Sequence, residues 1–209
     1  MKSLYLARVH VQVREALRLR LTDSYSWHRA AWQVFPGRDG QPRDFLTRLD
    51  PKGDVLELLI LSPVTPERPA WCASDRWESK AVAESFLAHK VYRFSLRANP
   101  TRKVAVIRED GTKSKNGRRL AIHKEEDLLN WLVRKGEQAG FHVEPQTLRN
   151  SPAKPYPFTR AGHRGAHAGV DFSGVLEVTD PVLFAKAFQS GIGSAKAFGF
   201  GLLMLSPLA

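Results

Sequence analysis

Apolar periodicity along the 209-residue chain predicts an α+β fold built from two tandem βαββαβ units. Three observations carry this. Strand-like alternation and helix-like spacing take turns along the chain, the second half repeats the order of the first, and a hydrophobic content of 43% is ample for a real core.

In the first half, Leu4 to Val13 alternates as a half-buried strand, with Leu4, Leu6, Val9, Val11 and Val13 apolar. Asp23-Ser24 then supplies an N-cap. Trp27, Ala30, Ala31, Val34 and Phe35 follow at helical spacing, and Pro36-Gly37 ends the run. Asp44 to Leu49 and Val55 to Leu61 read as strands joined by the turn Asp50-Pro51-Lys52-Gly53-Asp54. A shorter helix is expected from about Asp75 to Leu87.

Val91 to Ala98 alternates again and either closes the first unit or opens the second. Beyond it, Glu109-Asp110-Gly111-Thr112 lies between Val104-Ala105-Val106-Ile107 and the Lys113 to Arg119 cluster, which predicts a protruding basic hairpin. A helix is expected over Glu125 to Gln138, stopped by Gly140. Phe141 to Glu144 and Gly174 to Val178 are candidate strands around a Pro-, Gly-, His- and Arg-rich connection expected to be mobile. Asp180-Pro181 opens the next helix, Gly191 ends it, and a last strand runs from about Phe200 to Leu205. This order suggests two ferredoxin-like domains, residues 1–89 and 90–209.

The net charge of +11 is segregated. From Arg97 to Lys124 nine basic residues face two acids, and from Pro145 to Val170 four face none, so the remainder is balanced. Such segregation points to an anion-binding surface for a polyanion, a nucleic acid or a membrane surface. The single cysteine, Cys72, excludes an internal disulfide and a Cys-rich zinc site. No apolar run of about 18 residues occurs, and the N-terminal apolar run is too short for a secretory signal. A soluble protein of the reducing cytoplasm is expected.

Near the end of the chain, Gly191-Ile192-Gly193-Ser194-Ala195-Lys196-Ala197-Phe198-Gly199-Phe200-Gly201 brackets one lysine with two glycine pairs. Nucleotide-binding glycine loops follow a strand and open a helix. Here a helix precedes and a strand follows, so a nucleotide cofactor is not expected. On the first helix, Tyr25, His28 and Trp32 fall on a different side from the apolar set, as an outward stripe suited to stacking on bases and moving protons. His163 and His167 have zinc-like spacing but no acid or cysteine nearby, and read as loop histidines.

Four motifs together identify a resemblance. They are the glycine segment, Tyr25-Ser26-Trp27-His28 with Trp32 and Phe35-Pro36, Arg43-Asp44-Phe45-Leu46, and Phe94-Ser95-Leu96-Arg97-Ala98-Asn99-Pro100. In these the chain resembles the CasE-type CRISPR-RNA processing endoribonucleases of type I-E Cascade complexes, in the repeat-associated RNA-binding superfamily. Residues 63–90 and 149–170 lie outside the resemblance. It implies two ferredoxin-like, RRM-related domains that bind the repeat hairpin of precursor CRISPR RNA, cut at its base without a metal, and stay on the product beside other Cascade subunits. The cut would leave a 2′,3′-cyclic phosphate and a 5′-hydroxyl. His28 would be general acid or base, and Tyr25, one turn earlier, would orient ribose or phosphate. Gly191, Gly193, Gly199, Gly201 and Lys196 would hold RNA phosphates, Arg102, Lys103, Lys113, Lys115, Arg118 and Arg119 would grip the stem, and Trp32 would contact RNA. No metal, cofactor or membrane is expected. The alternative is a non-catalytic RNA-binding subunit of the same kind of particle.

Overall fold

Strand β1 (Leu4–Gln12) has two apolar faces, and they explain the architecture. Ala7, Val9 and Val11 join a core with helix α2 (Ser24–Trp32), whereas Leu4 and Leu6 join a second core shared with the C-terminal half. Strand β3 (Val55–Ser62) divides in the same way, with Leu58 and Ile60 on the helix side and Leu59 and Leu61 on the other. A strand covered on both faces needs no polar alternation, which is why Val55-Leu56-Glu57-Leu58-Leu59-Ile60-Leu61 is nearly all apolar. The computed structural model describes residues 3–38, 40–105, 112 and 117–208.

The first sheet has the order β2-β3-β1-β4, antiparallel throughout, with β2 at Leu46–Lys52 and β4 at Trp77–Val82. A short helix α1 (Val13–Arg18), not expected from the sequence, follows β1 and buries Ala16. The helix expected over 75–87 is absent. Single 3-10 turns at Ser74–Arg76 and Glu84–Leu87 flank β4, which pairs Val82 with Leu4 and Trp77 with Val9. The backbone groups along that side of β1 need a partner, and this tertiary demand overrides the local helical pattern. Glu78 and Lys80 on this outer strand are exposed, as charges on edge strands usually are.

The second sheet runs β10-β11-β5-β12: β10 is Lys154–Arg160, β11 His163–Val178, β5 Val91–Ala98 and β12 Leu203–Pro207. Short strands β8 (Phe141–Val143) and β9 (Arg149–Asn150) pair with the same long β11. Helices α3 (Glu125–Gln138) and α4 (Pro181–Ser190) complete the second ferredoxin-like unit and match their expected spans closely. Strands β6 (Thr101–Val104) and β7 (Arg118–Ala121) pair as an antiparallel ribbon, and the turn expected at Glu109-Asp110-Gly111 lies outside the described residues.

The connection expected to be mobile is instead the β10-β11 hairpin, which also moves His163 and His167 from a loop to a strand. Its glycines make room for rings: a Cβ at Gly165 would lie 2.6 Å from Phe158, and one at Gly169 would lie 2.3 Å from Tyr156. Pro155 and Pro157, which cannot donate, alternate onto the free edge of β10. Thr159, of the same parity, directs its N–H outward to the Asp23 carboxylate at 2.7 Å. Among the described residues no helix is long and apolar enough to cross a membrane.

Candidate active site and nucleic-acid interface

Helix α2 is fixed from two directions. One Asp23 carboxylate oxygen accepts from Ser26 N at 2.7 Å, while Ser26 Oγ accepts from Asp23 N at 3.0 Å, a capping box. The other oxygen takes the Thr159 amide, so the N-cap also clamps the β10 edge. With Trp27, Ala30 and Ala31 buried, Tyr25, His28 and Trp32 share another side, as expected. That side is half-buried rather than open, because the C-terminal half covers it.

The His28 ring sits in an aromatic box, with centroids 6.2 Å from Tyr25, 6.3 Å from Trp32, 6.4 Å from Phe45 and 6.3 Å from Phe198. Burial, and then the positive charges of Arg43 and Arg160, hold its pKa below the ordinary histidine value. Trp32 donates its indole N–H to His28 Nε2 at 3.2 Å and packs edge-on to Phe45, so its polar group points into the protein. A cavity of about 180 Å³ opens beside His28, lined among others by Asp23, Thr47, Arg97 and Tyr156.

Phe198 reaches His28 from the glycine segment. Asp180 caps α4 by accepting from Val182 N and Leu183 N, and Gly191, at φ +76°, ends it. The chain then crosses to the N-terminal half, where the 3-10 turn Lys196–Phe198 packs against α2 and β2. The segment is stitched to the protein through its own amides. Gly191 N donates to Ala187 O, Ile192 N to Gly201 O, Phe198 N to Ala195 O and Gly201 N to Arg97 O. The expectation that the whole Gly191 to Gly201 backbone cradles phosphate is therefore narrowed: those four amides, Gly191 and Gly201 among them, already have protein acceptors. Gly193 lies against the Trp131 ring, and Gly199 lies 4.0 Å (measured from an added Cβ) from Thr47 O.

Lys196 is half-buried, and burial, Arg43 and Lys135 pull its pKa below the usual lysine value. It lines a groove with Lys135 and Lys186. A desolvated ammonium beside like charges gains most from an approaching anion.

Arg102, Lys103, Arg118 and Arg119 are placed on the β6-β7 ribbon, all exposed. Lys103 faces Arg119 in register, whereas Arg102 faces Leu120 and Arg118 faces Val104, so cations occupy both faces of the ribbon. Lys113 and Lys115 lie outside the described residues. The ribbon springs from Asn99-Pro100, and Asn99 is tied to the glycine segment: its Nδ2 donates to Ser194 Oγ at 3.4 Å and its carbonyl accepts from that hydroxyl at 3.0 Å. Arg97, two residues earlier, joins the halves through Asp50 at 3.0 Å, Asp171 at 2.9 Å and Leu49 O at 2.6 Å. The Leu-Arg-Ala-Asn-Pro motif thus places ribbon, glycine segment and domain seam together.

Arg43, Phe45, Arg160 and Phe198 were not singled out for the site by sequence reasoning. Arg43 donates to Phe45 O and lies 5.7 Å over the Phe45 ring, beside His28. Phe45 and Phe198 read locally as core residues, and only the fold brings them to His28. For Arg160 a signal existed. The alternation Pro155-Tyr156-Pro157-Phe158 marks an edge strand that would carry Arg160 as a fixed side chain.

Comparison with known proteins shows the family. The family described as "CRISPR associated protein" matches residues 4–207. The CRISPR system Cascade subunit CasE of Escherichia coli (strain K12) is 30% identical over 190 residues, covering 89% of this chain and 93% of that protein. The CRISPR-associated endoribonuclease Cse3 of Thermus thermophilus is 27% identical, covering 92% of this chain and 94% of that protein. The crystal structure of Cas6e from Escherichia coli K-12 superposes with a TM-score of 0.74 at 27% identity, covering 98% of this chain and 100% of that one. Cse3 bound to a 19-nt RNA has the same fold, with a TM-score of 0.76 at 23% identity and coverage of 98% and 100%. The chain belongs to the CRISPR-associated protein family and is of the CasE type.

Proposed function

We propose that this protein is the endoribonuclease that binds the stem-loop of CRISPR repeat RNA, cuts at its base by attack of a ribose 2′-OH on the adjacent phosphate, and stays with the product as a Cascade subunit in the cytoplasm. The observation that carries the reading is the convergence on His28. Helix α2, the Phe45 segment, the β10 edge and the glycine segment meet there, with Arg43 and Arg160 acting on the ring and Lys196 beyond Arg43.

In-line attack needs a group to accept the 2′-OH proton, fixed geometry, and positive charge where the phosphorane develops. His28 supplies the proton-transferring imidazole and Tyr25 orients the ribose or phosphate. Arg43, Arg160 and Lys196 supply the charge. Arg102, Lys103, Lys113, Lys115, Arg118 and Arg119 on the ribbon hold the stem through its phosphates, leaving the cut site over α2. Residues 1–89 carry the catalytic helix and residues 90–209 carry the stem-binding parts, a division supported by the two separate sheets.

The test is cleavage of a cognate repeat hairpin in EDTA, with the ends of the product determined. The expected product carries a 2′,3′-cyclic phosphate and a 5′-hydroxyl. The His28→Ala variant should bind the hairpin with wild-type affinity and cut it about 10²–10⁴-fold more slowly. Cleavage by that variant at the wild-type rate, or loss of wild-type cleavage in EDTA, would overturn the proposal.

A further inference from the structure

The geometry points to Trp32 as a positioning residue that fixes the tautomer of His28, leaving Nε2 as the proton-accepting atom and making His28 the general base rather than the acid. This rests on the endoribonuclease reading. An indole N–H can only donate, so the contact from Trp32 Nε1 to His28 Nε2 at 3.2 Å requires a lone pair on Nε2. The proton of the neutral imidazole then sits on Nδ1, which is buried and makes no hydrogen bond among the described residues. The two residues are one turn apart on α2, and the T-shaped contact of Trp32 with Phe45 at 5.0 Å holds the indole in place.

The charged and titratable groups around the ring favour the same state. On its own helix Tyr25 is adjacent, and Asp23 is engaged in the N-cap. Arg43 faces it from the segment before β2 and Arg160 from β10, while Lys196 lies in the turn that packs on α2. A proton on Nε2 would abolish the Trp32 bond and place an imidazolium beside two guanidinium groups. His28 therefore rests neutral, with Nε2 covered by an N–H that a ribose hydroxyl can replace. On arrival of the RNA, the 2′-O–H proton passes to Nε2 and O2′ bonds to phosphorus. The bond from phosphorus to O5′ breaks, and O5′ takes a proton from water.

The experiment combines ¹⁵N NMR of histidine-labelled protein with single-turnover cleavage. The His28 signals are assigned by their loss in His28→Ala. In the free wild-type protein Nε2 should be unprotonated and Nδ1 protonated. Trp32→Phe keeps the ring and removes the donor, so it should shift His28 toward the Nε2–H tautomer. It should also slow cleavage at saturating RNA, where any change in affinity drops out, about tenfold, the size of one modest hydrogen bond. Because the lost bond stabilised the neutral ring, its pKa rises and the acid limb of the rate profile moves to higher pH. An Nε2–H signal in the wild-type protein would overturn the proposal, and that measurement needs no variant to fold. A Trp32→Phe protein with unchanged rate and unchanged acid limb would overturn it equally. Absence of cleavage by the wild-type protein would instead reject the endoribonuclease reading, with the tautomer read independently.

Discussion

Arg43 illustrates how a single cation biases this site. Its charge lowers the pKa of both His28 and Lys196, so Arg43→Gln should raise both. With His28 as base, the acid limb of cleavage then moves to higher pH, which a pH series of single-turnover rates would detect. Stability follows a related rule. His28 and His167 both have pKa values lowered mainly by burial, so the folded state binds fewer protons than the unfolded chain below the ordinary histidine value. Their contribution is fully present above about pH 6.5 and is lost as the pH falls toward the lowered folded values. Thermal melting should show a falling midpoint between pH 7 and pH 5, and the double variant His28→Gln, His167→Gln should flatten it; an equal fall in the variant would assign the effect to other groups. What the sequence shows of His28 is its place on one helix side with Tyr25 and Trp32 and in the Tyr25-Ser26-Trp27-His28 motif of the resemblance, and the helix side is as the fold has it. The residues that tune it were not legible as such. Arg43, Phe45, Arg160 and Phe198 come from three other parts of the chain; Arg43, Phe45 and Phe198 fall within motifs of the resemblance and Arg160 on a proline-marked edge strand, but only the fold brings them to His28.

At the level of elements, the glycine segment is a strut that carries Phe198 to His28, and its glycines differ in what they tolerate. Gly199, at φ +87°, has open space around an added Cβ, the nearest atom being Thr47 O at 4.0 Å; Gly199→Ala should cost about 1–2 kcal/mol from backbone conformation alone. At Gly201, φ +88°, the added Cβ would meet Ile192 O at 2.7 Å and Ile192 N at 3.1 Å. Gly201→Ala should therefore lose more, by a further 1–3 kcal/mol or so, because Ile192 and Gly201 already share a backbone bond that would have to lengthen. Denaturant midpoints of the two variants compare them directly, and equal midpoints would reject the strut. The β6-β7 ribbon has a different signature. Replacing Arg102, Lys103, Arg118 and Arg119 with glutamine should lower the slope of log K against log salt by about 3 to 4 if each meets a phosphate, whereas an unchanged slope would put the stem elsewhere. Helices with clear apolar periodicity were legible: α3 and α4 to within a residue or two, and α2 from its Asp23 cap, although it ends at Trp32 rather than at Phe35. The strand at 77–82 was not, because its partner β1 lies far away in sequence and supplies the reason for the strand; of the hairpin at 154–178 only the stretch 174–178 was, since the Pro, Gly, His and Arg composition of the rest is that of a loop.

For the whole molecule the decisive feature is the seam between the two halves, since His28 is contributed by one and Phe198, Arg160 and the ribbon by the other. Arg97 is its centre. Its side chain is buried and spans Leu49 O and Asp50 of the first half and Asp171 of the second, stacks 5.4 Å over Tyr156, and its carbonyl receives the Gly201 amide. Arg48 adds a parallel link, to Asp50 at 2.7 Å and to Ser95 Oγ at 3.0 Å. No lysine could replace Arg97, because one ammonium cannot reach acceptors on both sides in the fixed fork a guanidinium provides. Arg97→Met should cost about 3 kcal/mol. The lower end of the range for a broken buried pair applies, because Asp171 keeps 34% of its side-chain exposure and Asp50 retains Arg48. Adding Asp171→Asn should restore part of that loss by removing the stranded charge, and a double-mutant cycle on denaturant midpoints measures how much. The two functions should then separate. Under the proposed function, stem binding rests on the ribbon within the second half and should change little, whereas cleavage requires His28 to be held against parts of that half to a fraction of an ångström and should fall by about 10²-fold or more. If instead affinity and rate fell together, the stem would be gripped across the seam, and the division of labour between residues 1–89 and 90–209 would be wrong.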